Sequence, residues 1–159
     1  MSHGVAIRRG FTLVELMVLI VIAGLVLGFG LPAFLEMKRS AGVERARQQL
    51  ELDLEAARRT ALTDRVPVIV SFDTAPSTSY GILTDRNGNG VPDTGEPRRA
   101  CALPTRTRFS MLALQPADTV WFDSSGTLRK GDSGGWIMLE SNGALDTLFV
   151  TPAGSVVEP

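Results

Sequence analysis

The strongest constraint on this chain is a long apolar run that contains one acid. From Phe11 to Leu35 the only ionisable residue is Glu15, and the run opens FTLVELMVLIVIAG. As a helix it would measure roughly 37 Å, enough to cross a hydrocarbon core of about 30 Å. Its surroundings must then be lipid or other protein. Arg8 and Arg9 precede it, which keeps the N-terminus cytoplasmic by the positive-inside rule and exports the remainder. An acidic side chain at the centre of a membrane helix costs about 2.5–3.5 kcal/mol, so Glu15 needs a partner and a purpose.

Three general readings leave that acid unexplained. A secretory signal peptide has a shorter apolar core, about 7–15 residues, followed by a small-residue cleavage site. RRGFTL superficially fits a twin-arginine export signal, but Glu15 would stand inside its apolar core. A plain signal anchor has no use for a carboxylate.

The stretch RRGFTLVEL resembles the prepilin motif of type IV pilins and pseudopilins. The resemblance implies that residues 1–10 are a leader, cut between Gly10 and Phe11 by a prepilin peptidase that also N-methylates the new Phe11 amine. It makes Glu15 the family's assembly glutamate, paired with the first amine of a neighbouring subunit. Pairing the two charges offsets much of the cost of burying either in hydrocarbon. Pro32 stands where the family has a helix-bending proline, which removes one backbone bond. Gly24 and Gly28 form a GxxxG, with Gly30 following. Glycines are frequent in membrane helices, and here they serve either that general tolerance or close packing between subunits.

After Pro32 the helical pattern persists. Val43, Ala46, Leu50, Leu54, Ala57 and Ala61 recur at three- and four-residue intervals, an apolar stripe bordered by charge. Gly42 is the weak point, and Asp64 and Pro67 end the pattern. The spacing predicts one helix over about 11–63, with 11–35 in the membrane and 36–64 amphipathic and exposed. Arg45, Arg47, Arg58 and Arg59 alternate with Glu44, Glu51, Asp53 and Glu55, a solvated face with local ion pairs rather than a nucleic-acid helix.

Residues 65–159 form a β-rich head. Strands are expected near 67–73, 79–84, 107–114, 119–123, 136–141 and 145–151, with APSTS, DSSG, KGDSGG and SNG as turns. Trp121, Phe122, Ile137, Leu139, Leu148 and Val150 are the expected core. The fold class is α+β: a long N-terminal helix packed on antiparallel sheets, the layout of a pilin. The strand order, FD-SSG and the closing TPAGSV resemble the GspH/FimT-type branch, the minor pseudopilins of type II secretion and minor pilins of type IV pili.

Two motifs suggest chemistry. DRNGNGVPDTGE fits the calcium-loop pattern, with Asp85, Asn87, Asn89, the Val91 carbonyl, Asp93 and Glu96 as candidate ligands for Ca2+ and Gly90 at the sharp turn. Flanking strands in place of helices, Pro92 and two neutral asparagines point instead to a plain polar connection. GDSGG at 131–135 copies the surroundings of a protease nucleophile, which would make Ser133 catalytic. A serine needs a base, and the sole histidine, His3, lies in the leader. A glycine-rich turn and no enzyme is the expectation.

Cys101, the one cysteine, excludes an intrachain disulfide. It pairs with a partner subunit or, more commonly, is buried. DNA is not an expected partner. Net charge is −1, the tail AGSVVEP offers Ser155, Val156, Val157 and Glu158 but no cation, and Arg98, Arg99, Arg106 and Arg108 are not shown by the sequence to align.

The expected function is structural. The chain reads as an H-type minor pseudopilin of a type II secretion system, single-pass in the inner membrane with a periplasmic head, near the pseudopilus tip. Its implied partners are other pilin or pseudopilin subunits and the inner-membrane assembly platform. The alternatives are a FimT/FimU-like minor pilin priming a type IV pilus, and a membrane-anchored module binding calcium or DNA.

Overall fold

The structure, a computed structural model, describes residues 11–115 and 117–157, without the side chains of 30–33, 35, 36 and 38–40. The leader, including Gly10, Glu158 and the side chain of Pro32 lie outside the described residues. Two compact units result, Met1–Lys38 and Arg39–Pro159, which share one helix, α1 (Leu13–Asp64).

In the second unit the expected stripe is the buried face of α1. Val43, Ala46, Leu50, Leu54, Ala57 and Ala61 are all buried, and burying a leucine such as Leu50 or Leu54 contributes about 1.5–3 kcal/mol. The helix ends because Arg65 adopts φ 55°, the left-handed conformation that closes many helices, and Pro67 two residues on cannot resume it.

Eight strands follow: β1 (Val68–Phe72), β2 (Ser79–Thr84), β3 (Arg98–Ala102), β4 (Thr107–Gln115), β5 (Thr119–Phe122), β6 (Gly134–Ser141), β7 (Ala144–Val150) and β8 (Val156–Val157). They make two antiparallel four-stranded sheets, in the orders β3-β2-β1-β5 and β4-β6-β7-β8. In the first, Val68, Val70 and Phe72 alternate inward, with Ile82 facing Val70 and Phe122 facing Val68 across the ladder. In the second, Phe109, Ile137, Leu139, Leu148 and Val150 do the same. Both sheets and the stripe of α1 share one core.

The sheets are tied at a corner by aromatics. Phe109 of β4 meets Phe72 edge-on at 5.2 Å and Tyr80 at 5.9 Å between ring centroids. Asn142 (φ 50°) and Gly143 (φ 86°) make the two-residue turn between β6 and β7, which matches the twist of the flanking strands.

Two strands were not expected. β3 reads RRACA and is exposed along most of its length, so it carries neither apolar alternation nor β-branched enrichment. β8 is only two residues long. One expected core residue is misplaced: Trp121 is only partly buried. Its cross-strand partner is Ile69, and neither belongs to the shared core. Trp121 instead carries the Arg129 guanidinium 4.3 Å above its ring.

Candidate functional site

The first turn of α1 is built around Thr12 and Glu15. Thr12 Oγ1 accepts a hydrogen bond from Glu15 N at 3.2 Å, and Thr12 O accepts from Leu16 N at 3.1 Å. Thr12 is therefore the N-cap and Glu15 the third residue in, where an acid faces the positive end of the helix. The Glu15 side chain itself makes no hydrogen bond or ion pair among the described residues.

Around that carboxylate the helix is apolar on every side and uncovered. Phe11 is 70% exposed and Leu13 73%, and the large apolar residues remain exposed through Phe29. Apart from the helix's own backbone, no described group lies within 4 Å of where a Cβ would stand on Gly24 or Gly28. Among the described residues, no helix is long and apolar enough to cross a membrane. The unbroken run of described side chains ends at Phe29, where α1 from Leu13 spans about 25 Å against a core of about 30 Å, and beyond it only Phe34 and Met37 are described before the helix reaches the head. The expected span over 11–35 thus continues into side chains outside the described set.

Three polar latches hold the other half of α1 to the head; the expected ion pairs along the helix are present, but the contacts with the head were missed at the sequence level. Arg47, mostly buried, bridges Glu44 at 2.8 Å, Glu51 at 3.3 Å and Asp146 of β7 at 3.4 Å, and its hydrogen bond holds the Glu44 carboxyl below its ordinary pKa. Arg58 donates to Gly126 O at 2.8 Å and to Ser155 Oγ at 3.5 Å. Asp53 accepts from Tyr80 Oη at 2.5 Å and from Arg99. Gln49, one turn before Asp53, reaches Tyr80 Oη at 3.3 Å and Ala102 O at 2.9 Å. Gln49 and Asp53 flank the stripe at i, i+4, a signal a helical wheel carries.

The 85–96 loop is closed by its own hydrogen bonds. Asp85, fully buried, accepts from Gly88 N and Gly90 N, both at 2.7 Å. Glu96 accepts from Arg86 N at 2.8 Å and Asp93 N at 3.1 Å. Asn87 and Asn89 turn their amide nitrogens to Asp93 Oδ2 at 2.6 and 2.7 Å, and Asn89 Oδ1 accepts from Val91 N at 2.7 Å. The carboxylates face N–H donors, and among the described residues no three His, Cys, Asp or Glu side chains form a group that could hold a metal. Gly90 (φ 76°) presses on the Trp121 ring so closely that a Cβ would overlap it.

The GDSGG string is the entry to β6. Ser133 is exposed, with a long 3.4 Å contact to Gln115 Oε1. A Cβ on Gly134 (φ 72°) would strike Val150 O, and one on Gly135 (φ 149°) would strike Ala113 O. Both glycines are required where β6 enters between β4 and β7.

The four head arginines do not act as one patch. Arg99 is bound to Asp53 and Arg108 to Glu140 across the β4–β6 ladder at 2.8 Å, while Arg98 and Arg106 are exposed without partners among the described residues. In the tail, Ser155 takes the Arg58 contact and Val156 and Val157 form β8. Cys101 is partly buried beside Tyr80, and burial raises its thiol pKa.

Comparison with known proteins agrees with this construction. Residues 46–154 match the family model described as type II transport protein GspH. Residues 6–31 match the prokaryotic N-terminal methylation motif. Among solved structures, the chain is similar to the crystal structure of the type IV minor pilin FimU from Pseudomonas aeruginosa strain PAO1. The TM-score is 0.54 at 15% identity, covering 74% of this chain and 87% of that one. That likeness shows the fold, a helix with two antiparallel sheets in the pilin arrangement. No curated protein matches the chain by sequence.

Proposed function

Since the chain belongs to the GspH family of type II transport proteins, whose members are structural subunits rather than enzymes, we propose that it is the H-type minor pseudopilin of a type II secretion system. It is inserted in the inner membrane through residues 11–35 with the head in the periplasm. A prepilin peptidase removes residues 1–10 and N-methylates Phe11, and the subunit joins a short pseudopilus near the tip.

The supporting observation is the first part of α1: an uncovered apolar helix whose one carboxylate, Glu15, has no partner among the described residues. Apolar surface left in water costs roughly 25 cal/mol per Å2, so this surface belongs against lipid and then against other subunits. In that setting Glu15 pairs with the Phe11 amine of a neighbour, Gly24 and Gly28 permit close approach, and Pro32 loosens the helix. The mechanism is packing and charge pairing, with no covalent step by this chain.

The fold likeness to the minor pilin FimU favours a second reading, a minor pilin that primes a type IV pilus. Deleting the gene and scoring exoprotein secretion beside pilus-dependent motility decides between them. Lost secretion with normal motility supports the secretion role, and the reverse supports the pilus role. Mass analysis of the membrane-fraction protein tests the processing: an N-methyl-Phe11 start supports it, and an intact Met1 overturns it.

A further inference from the structure

Strand β3 ends the first sheet, paired to β2 on one side and, among the described residues, to no strand on the other. Ladder parity fixes which of its backbone groups face outward. Thr84 N donates to Pro97 O and Leu103 N to Thr78 O. The register then makes Ile82–Arg99 and Tyr80–Cys101 hydrogen-bonded pairs as well. The N–H and C=O of Arg98, Ala100 and Ala102 therefore point away from the sheet. Among the described residues only Ala102 O is engaged there, by Gln49.

The other edges are occupied or short. β5 is closed where Arg129 N donates to Trp121 O at 2.9 Å and Phe122 bridges to Leu128. β4 is bridged at Phe109 by Ser77, and β8 has two residues. β3 also lacks the proline or bulge that blunts many edges. Ala100 is small and exposed. Arg99 is bound to Asp53, which leaves Arg98 as the free cation of this edge among the described residues. Clefts border the strand. One of about 170 Å3 lies between Ile69, Leu83, Gly90 and Pro92 with Arg98 on its lining, and one of about 310 Å3 separates β3 from Ala56 and Thr60 of α1.

We propose that β3 takes up an extended segment of a partner polypeptide as an added strand, with an acidic side chain beside Arg98 and an apolar one entering the cleft at Leu83. Backbone pairing supplies the contact and the side-chain positions supply the selectivity. This goes beyond the filament role and does not rest on which machine the subunit serves.

The test uses the full chain in detergent micelles and a fluorescein-labelled Thr/Ser-rich heptapeptide carrying Glu and Val two residues apart, which places both on the face of Arg98 and its cross-strand partner Leu83, followed by anisotropy. Saturable binding is expected. It should weaken at least tenfold when alternate peptide amides are N-methylated, and equally with Ala100→Pro, which removes an outward N–H and no bond to β2. Arg98→Glu should reverse the preference toward a Lys/Val peptide. Absence of saturable binding, or binding indifferent to N-methylation, overturns strand addition. The peptide arm decides even where Ala100→Pro fails to fold. A preference unchanged by Arg98→Glu overturns the acidic partner.

Discussion

Gly42 of α1 and Ser141 at the end of β6 meet so closely that a Cβ on Gly42 would stand 2.6 Å from Ser141 Oγ. Ser141 is itself 1% exposed, so the contact lies inside the protein and its hydroxyl cannot swing out to solvent. The glycine that looks like a flaw in the helical pattern is the place where sheet and helix touch.

Gly42→Ala should therefore lose stability despite its better helix propensity. The propensity gain is about 0.5–1 kcal/mol, and overpacking costs about 1–3 kcal/mol, for a net loss of about 1 kcal/mol. With Ser141→Ala the overlap disappears, and Gly42→Ala should then stabilise by about 0.5–1 kcal/mol. A double-mutant cycle on thermal unfolding of the full chain checks the sign change.

Asp85→Ala should destabilise by about 2–4 kcal/mol, because two charge-assisted backbone bonds are lost in a buried site. Gly90→Ala should cost about 1–3 kcal/mol and shift Trp121 fluorescence, since the loop must lift off the ring. Millimolar calcium should leave the melting midpoint of the wild-type chain in place. A calcium-dependent rise that Asp85→Ala abolishes would instead make this loop a metal site.

Stability should fall on the alkaline side. Burial, reinforced by the bond to Asp53, pushes the Tyr80 phenol well above its ordinary value, and burial raises the Cys101 thiol. Both hold their protons more tightly folded than unfolded. Their contribution is complete below the unfolded values, about 8.5 for the thiol and 10 for the phenol, and is lost as pH rises past them. Unfolding midpoints should decline from about pH 8.5–9 and more steeply above about pH 10. Tyr80→Phe should cost about 1–2 kcal/mol at neutral pH and remove the steeper limb.

Acid should also weaken the turn after β5. Burial raises the Asp123 pKa, but side-chain and backbone bonds from Ser125 and Thr127 together outweigh it and hold the carboxyl below its ordinary value. That contribution is present above about pH 4 and disappears as pH falls through the lowered value. Ser125→Ala should reduce the acid sensitivity, read as a smaller midpoint change between about pH 5 and 3.

Glu15→Gln should leave the head's melting midpoint unchanged, since the carboxylate touches nothing in the described chain, while incorporation into the filament is lost. Normal incorporation would remove Glu15 from the assembly role.

The helix, its buried stripe and six of the strands were legible because periodicity survives in residues such as Leu50, Leu54, Ile137 and Leu148. β3 was not legible, since an edge strand with Arg98 and Arg99 need not alternate in polarity. Trp121 was misplaced because an aromatic residue in a strand looks the same from either face. Only register puts it opposite Ile69. The latches of Arg47, Arg58 and Asp53 were hidden for a different reason: their partners Asp146, Gly126 and Tyr80 are distant in sequence. In the 85–96 loop the letters of a cation pattern were legible, but not the hydrogen bonds that close it, which run from backbone N–H groups to Asp85 and Glu96 and from the Asn87 and Asn89 amides to Asp93.

Gly134 and Gly135 carry a wider lesson about resemblance between unrelated chains. Where a strand is threaded between two carbonyl oxygens, no methyl fits, and any sequence that solves the problem writes the same pair of letters. The serine before them is exposed and plays no part in that threading. Short strings can therefore converge through steric exclusion alone, and a motif borrowed from catalysis can be the imprint of a doorway in a sheet.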